Sequence, residues 1–428
     1  MNDNDQHELQ AGISRRRFVQ GSAVAGIGAF LAACTTGTTS SPPASAPGQT
    51  GSPDPSPSAS ATPESTEVVG PLNFANWDAY IDLTTDPGAD GEEGTDDDEY
   101  VLPSPTLNEF QQQYGIEVNY SNAEIDDNET FMATIRPQFQ AGVDTGWDLI
   151  VLTDWMAAKV VQAGWAEQIN PAMIPDALAN VRDELKGMPW DPNLEYHVPW
   201  QSGATGIGYN VVSTQRDLAS IGDLFDEAFA GRVTLLSETR DTFPLVHLLL
   251  QARGETSENA PEEMDAEDAE RVHAFLGPYV ESGHIRGFTG NSYLRDFSGG
   301  DTWAAVVWSG DLASAGTDDD RFVFPTEGSM IWTDNALIPK GAQHKAAAEA
   351  MMNFVYDVRR AARIAAFIYY ISPVKGVAEA ISEFDEEAAE NELLFQPPDV
   401  IAKQHPQPNW DEATEAQVNE LYADLAGV

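Results

Sequence analysis

The sequence predicts an α/β protein built on parallel sheets, and three features carry that expectation. "DLIVL" (148–152) has no polar residue after Asp148, the composition of a strand buried on both faces. Helix-period and strand-period stretches alternate along the chain, through "GATGIGYN", "GRVTLLS", "WAAVVW" and "FVFP". Strand after strand ends in a carboxylate close to an aromatic ring. Ligands of open α/β sheets bind beyond the carboxyl ends of the strands, so this third pattern places a candidate site as well as a fold.

With 428 residues, the chain has room for one large or two ordinary domains, and its 42% hydrophobic and 9% aromatic content supplies real cores. Charge is the extreme feature: 22 Lys and Arg face 69 Asp and Glu, a formal net charge of −47. Such a surface repels nucleic acid and anionic lipid and attracts cations. A device for solubility in concentrated salt accounts for the surplus equally well, so charge alone names no ligand.

The elements follow in order. "SRRRFVQGSAVAGIGAFLAACTTG" has a basic start, an apolar middle and small residues before a cysteine, the anatomy of an export signal. Ser14 to Gln20 resembles a twin-arginine signal, and Leu31-Ala32-Ala33-Cys34 resembles a lipobox. The expectation is a signal peptide over 1–33 and a lipidated Cys34, with an uncleaved membrane anchor as the alternative. Cys34 is the only cysteine, so no internal disulfide, thiolate zinc site or cysteine nucleophile is expected. Residues 34–70 are dominated by Ser, Thr, Pro and Gly and read as a flexible tether. "PLNFANWDAYID" opens the globular part with a short strand. The acidic insertion "DPGADGEEGTDDDE" (86–99) lacks the spacing of a calcium loop and reads as a solvated loop. Leu107 to Tyr114 is amphipathic, and "IEVNY" is a strand. "EGSMIWTDNALIP" (327–339) is an apolar strand ending at Pro339 with a charge, Asp334, in its middle. "AARIAAFIYYISPV" is too short for a membrane span and carries Arg363, so it reads as a core helix running into a turn.

Acid-aromatic strand ends recur as Trp77-Asp78-Ala79-Tyr80, Thr153-Asp154-Trp155, Glu238 and Asp241 after "GRVTLLS", Trp308 with Asp311, and Trp332 with Asp334. A flexible aliphatic polycation uses such a lining fully. Its ammonium ends need carboxylates, and its methylenes need flat apolar walls with a cation–π contribution. Taken singly, each residue has a plainer role, the Asp as a helix N-cap and the Trp as packing. A secreted glycosidase would need two carboxylates on opposite sides of a bond, whereas Glu238 and Asp241 are spaced to share one face of a helix start. No G-x-S-x-G or H-E-x-x-H occurs, the seven histidines are scattered, and "GATGIG" has its glycines in the wrong order for a dinucleotide loop. His197 in "YHVPW" reads as structural.

From about Leu72 to Leu425 the chain resembles the polyamine-binding receptors of ABC importers. The resemblance rests on "NFANWDAYID", "DDNETF", "WDLIVLTDW", "YHVPWQSGATGIGYN", "VVWSGD", "FVFPTEGSMIWTDNALIP" and "YYISPVKG", in family order and at compatible spacing. It implies the type II periplasmic-binding-protein fold, with two α/β lobes around a hinge cleft. Lobe one would comprise 71–203 with 335–378, and lobe two 204–334 with 379–428, the third crossing falling near Val377. It also implies a non-enzymatic, monomeric receptor without metal or cofactor, lipid-anchored outside the cell membrane. Its partners would be a putrescine- or spermidine-class polyamine and permease subunits, with no role for nucleic acid.

Carried over position by position, Trp77 and Tyr80 match the first aromatic wall, and Thr153 and Trp155 the hydroxyl and aromatic after "DLIVL". Glu238 and Asp241 match an acidic pair, and Trp308 and Trp332 the rings that sandwich methylenes. Asp334 matches the principal carboxylate, Asp311 an acid of putrescine-preferring members, Tyr370 a family tyrosine, and Asp411 a position where some members carry Gln. Asp78 and Asp154 depart from small hydroxyl residues, and Glu238 and Asp241 reverse the usual order, which leaves ligand length open. Tyr369-Tyr370 also resembles the tyrosine pair with which related receptors hold ferric iron. A structural surface lipoprotein would need no such strand ends.

Overall fold

The structure, a computed structural model, describes residues 66–78, 80–86, 99–101, 104–317 and 319–427. The signal, Cys34, nearly all of the tether and most of the acidic insertion lie outside these residues. Twelve strands are defined among them. They are β1 (Leu72–Trp77), β2 (Thr84–Asp86), β3 (Glu99–Val101), β4 (Val118–Ile125), β5 (Leu149–Thr153) and β6 (His197–Asn210). Next come β7 (Val233–Leu236), β8 (Ile285–Thr289), β9 (Ala304–Trp308), β10 (Asp320–Val323), β11 (Ser329–Leu337) and β12 (Gln404–Pro406).

Apart from the antiparallel pair β2–β3, all join in one ladder of order β4-β1-β5-β11-β6-β9-β7-β8, with β10 on β6 and β12 on β11. Two parallel sets sit at its ends, β4-β1-β5 and β8-β7-β9. The strands between them are antiparallel, so "GATGIGYN" and "FVFP" lie in antiparallel pairs rather than in the parallel sheets that the alternation suggests for them. The reason is connectivity: β6 carries the chain from the first set to the second and β11 brings it back alongside. β5 pairs with Asp334–Leu337 at one end of β11, while β9 pairs with Thr205–Tyr209 at the opposite end of β6. These two crossing strands therefore belong to both lobes.

A bulge interrupts the crossing pair where Asp334 faces Gln201 and Asn335 faces Pro199. Proline has no N–H for a ladder, so a bulge is where a sheet tolerates it. Its carbonyl instead accepts a 2.6 Å hydrogen bond from the Tyr356 hydroxyl. Bulges also re-aim side chains, and this one sits at Asp334.

The "DLIVL" run is central as expected, with Leu149 to Leu152 fully buried between β1 and β11. The stretch carrying Arg363 forms the helix Val358–Ile368, capped by the Asp357 side chain and ended by Tyr369 in the left-handed region at φ 59°. No helix among the described residues is long and apolar enough to cross a membrane. The helix Val377–Ser382 packs on Val358–Ile368, so the chain is still on the first set's side at Val377.

Arg363 fastens this helix to the loop after β1. Its Nε lies 2.6 Å from Asp82 Oδ2 and its Nη1 2.7 Å from Glu109, and Thr106 donates to the same Asp82 oxygen. Burial raises the Asp82 pKa although Arg363 opposes it, so the carboxylate depends on that guanidinium. Arg363→Met is expected to destabilise the fold by about 3 kcal/mol in urea unfolding, the range for an orphaned buried charge. A change under about 0.5 kcal/mol would class the pair with surface bridges.

Candidate functional site

The carboxyl ends of β1, β5, β7 and β9 and the middle of β11 meet around one cavity, with about 350 Å3 of empty space that includes its opening to solvent. Eleven expected residues line it: Trp77, Asp78, Tyr80, Thr153, Glu238, Asp241, Trp308, Asp311, Trp332, Asp334 and Tyr370. Five of these are carboxylates, and the lining contains no Lys, Arg or His.

The rings form a continuous chain of edge-on and tilted contacts. Trp77 meets Trp308 at 5.6 Å, Trp308 meets Trp332 at 6.5 Å, Trp332 meets Tyr370 at 5.6 Å, and Tyr370 meets Tyr80 at 5.1 Å. Two glycines make room for it. A Cβ on Gly203 would stand 2.7 Å from both Trp332 and Tyr370, and one on Gly310 would stand 2.6 Å from Tyr370.

Neutral donors fix most of the carboxylate oxygens. Asp241 accepts from Thr205 and Gln407 at 2.7 Å each and from Trp308 Nε1 at 3.0 Å. Asp311 accepts from the Tyr293 and Tyr370 hydroxyls and from Asn291 at 2.8 Å. Asn122 donates to Asp78 at 2.8 Å, and Asn128 to Glu238 at 3.1 Å. Asp334 accepts from Tyr80 at 2.8 Å through Oδ2, while its buried Oδ1 has no hydrogen-bond partner among the described residues. Oδ1 of Asn291 and Oε1 of Gln407, also in the lining, are likewise buried without a partner among the described residues, and buried acceptors left so are costly.

Desolvation sets the electrostatics. Burial, reinforced by Asp241, pushes Glu238 up to about 8, against Arg240 and Asn128. Burial pushes Asp334 up to about 7; the Thr153 and Tyr80 hydroxyls oppose this, and Asp154 and Asp241 add to it. Asp311 rises to about 6 through burial, moderated by its two tyrosines. Asp241 is also raised by burial. The cavity thus holds carboxyl groups waiting for positive charge.

Three expected residues do not line the cavity. Asp154 opens the helix Asp154–Gln162, and its carboxylate accepts from Asn335 at 2.7 Å behind the ladder. The ring of Trp155 lies 3.8 Å from the Arg240 guanidinium instead. Asp411 is exposed and caps the helix Glu412–Ala426 by accepting from Thr414 N at 2.8 Å, the ordinary N-cap role.

Gln407 lines the cavity in place of Asp411, four residues earlier and just past β12. The strand-end pattern finds it only once "QHP" is read as a strand. Asn128 and Asn291 were also missed. Asn128 stands at the start of the helix Asn128–Ala141 in "DDNETF", where an Asn reads simply as a helix beginning. Of the tyrosine pair, Tyr370 alone lines the cavity, while Tyr369 ends the preceding helix. No group of three or more His, Cys, Asp or Glu suited to a metal ion occurs among the described residues.

Comparison with known proteins agrees with this geometry. The family model for bacterial extracellular solute-binding proteins matches residues 106–396. The spermidine/putrescine-binding periplasmic protein of Escherichia coli K12 is 28% identical over 301 residues, covering 69% of this chain and 80% of its own length. Spermidine/putrescine-binding periplasmic protein 1 of Haemophilus influenzae is 26% identical over 310 residues, covering 72% and 81%. By their names, these relatives are periplasmic proteins that bind spermidine and putrescine.

Among solved structures, the spermidine/putrescine substrate-binding protein PotD of Streptococcus pneumoniae superposes with a TM-score of 0.62 at 19% identity. It covers 83% of this chain and 98% of that one. The lipoprotein Tp0655 of Treponema pallidum gives 0.64 at 18% identity, covering 83% and 99%. The chain belongs to the bacterial extracellular solute-binding protein family and has the two-lobed fold of periplasmic binding proteins.

Proposed function

We propose that the protein is the extracytoplasmic receptor of an ABC importer and that it holds a polyamine of the putrescine or spermidine class between its lobes. The observation that carries this reading is the lining itself. Five carboxylates and a chain of aromatic rings, with no cationic side chain, line one cavity. Ammonium ends would pair with Asp334 and with the Glu238–Asp241 pair, and the rings would flank the methylenes. The sequence of the first 33 residues supports export, and Cys34 would carry the lipid that keeps the receptor beside its permease.

The lobes would divide within β6 and β11, at 203/204 and 334/335. The third passage would come after the helix Glu386–Ala389 and before β12, later than Val377, because β12 pairs with the lobe-two end of β11. No observation favours ferric iron, since the two tyrosines do not converge on the cavity.

Asp334→Asn is expected to raise the putrescine or spermidine dissociation constant at least about tenfold by calorimetry, within the range for a buried charged pair that loses one member. An unchanged constant would assign the carboxylate to structure alone.

The raised carboxyl pKa values give a pH signature. Glu238 and Asp334 hold protons in the folded, ligand-free chain up to about 8 and about 7, well above their ordinary values. The native state therefore binds more protons than the unfolded state between about pH 4 and 8, and ligand-free stability falls as pH rises through that window. An entering diammonium favours the ionised carboxylates and displaces those protons. The thermal shift produced by putrescine should grow from pH 5.5 to pH 8. Titrations near pH 6.5 in buffers of different ionisation enthalpy should register proton release. A shift that is flat with pH, with no released protons, would count against ammonium–carboxylate pairing.

A further inference from the structure

Trp155 and its surroundings have a role outside the cavity. Its ring lies 3.8 Å from the guanidinium of Arg240, a residue only 1% exposed. Trp155 follows β5 and belongs to the first strand set; Arg240 follows β7 and belongs to the second. The same guanidinium is 4.9 Å from the Trp410 ring, donates from Nε to the Pro408 carbonyl at 3.2 Å, and lies 3.2 Å from Glu415. Glu415 also pairs with Lys159, which sits one turn beyond Trp155 and 4.8 Å from its ring. The contacts make a closed circuit with two members on each side of the cleft.

Separating the lobes would break half of this circuit. Arg240 would keep Trp410, Pro408 and Glu415, all on its own side, and would lose the Trp155 face; Glu415 would lose Lys159. Contacts that exist only in the shut arrangement favour that arrangement by their full worth. Arg240 also lies between Glu238 and Asp241, which both line the cavity, and its acceptor Pro408 directly follows Gln407, a donor to Asp241. The circuit is thus tied to the ligand carboxylates through adjacent backbone.

We propose that Trp155 and Lys159 on one lobe, with Arg240 and Glu415 on the other, form a clasp that holds the receptor shut around its ligand. This rests on the receptor reading above. Trp155 and Arg240 are then positioning residues that never touch the ligand, and they act equally on every ligand that permits closure.

The test uses the full chain and radiolabelled putrescine and spermidine. Trp155→Leu should release both amines about tenfold faster and by the same factor, with association little changed, as for losing a desolvated cation–π contact. The double variant Trp155→Leu with Arg240→Gln should release little faster than Arg240→Gln alone, because Arg240→Gln already removes the contact that Trp155→Leu removes. If Arg240→Gln does not fold, Lys159→Gln, whose side chain is 39% exposed, should also accelerate release of both amines equally.

Unchanged release in Trp155→Leu would overturn the clasp. So would an acceleration that differs between the two amines, which would return Trp155 to the role of a ligand wall. Should the wild-type chain bind neither amine, the polyamine reading fails separately. The clasp is then judged in a Cys34→Ser chain spin-labelled at exposed positions through Val143→Cys and Val212→Cys, one on each lobe. Trp155→Leu should lengthen the label separation, and an unshifted distribution would refute the proposal.

Discussion

Everything in this molecule that bears on function turns on carboxylates removed from water in a lining that holds no Lys, Arg or His. Burying an ion without a partner is costly, and proteins ordinarily avoid it by neutralising the group or by supplying an opposite charge. Here the groups that donate to them are neutral. Tyrosine and threonine hydroxyls, indole N–H groups and side-chain amides hold the oxygens in place, and protons remain on Glu238 and Asp334 to unusually high pH. Such a site is organised in advance, so a cation entering it meets oriented acceptors and has little reorganisation to drive.

The fold makes this arrangement possible through the crossing strands. Because β6 and β11 run side by side through both lobes, Trp332 and Asp334 stand at the meeting of the two parallel sets. The lobes also touch elsewhere. Asn128 on one side donates to Glu238 on the other, and Asp126 accepts from Ser292 N at 3.1 Å and from Asn291 N at 3.4 Å. Gly290 permits that approach, since a Cβ there would stand 2.1 Å from the Asp126 carbonyl. Ligand binding, closure and the charge state of the cavity are therefore linked parts of one equilibrium.

Much of this was legible in the sequence because strand ends are local. Thr153 after "DLIVL" and the residues after "WAAVV" announce themselves without knowledge of distant contacts, and ten of the residues so found line the cavity, with Tyr370, found by resemblance, as the eleventh. What could not be read is what depends on the facing lobe. Trp155 has the composition of a wall but meets Arg240, about eighty residues away, and stacking on a guanidinium leaves no trace in spacing. Asn128 contributes by a hydrogen bond to Glu238 on the other lobe, whereas Asn291 bonds to Asp311 within its own lobe, where no strand-end pattern includes an Asn. Asp411 resolved in favour of its commonplace role as a helix cap, and Gln407 was hidden because β12 is too short to declare itself. The antiparallel crossing strands were concealed for a related reason: burial on both faces gives parallel and antiparallel centres the same apolar run.

The most direct measurement of the central claim compares putrescine with the diol of the same carbon chain, by calorimetry on the full chain at pH 7.5. The two molecules share length and apolar surface and differ in charge. If desolvated carboxylates define the site, the diamine binds and the diol gives no measurable heat. Comparable binding of both, or of neither, would contradict the account.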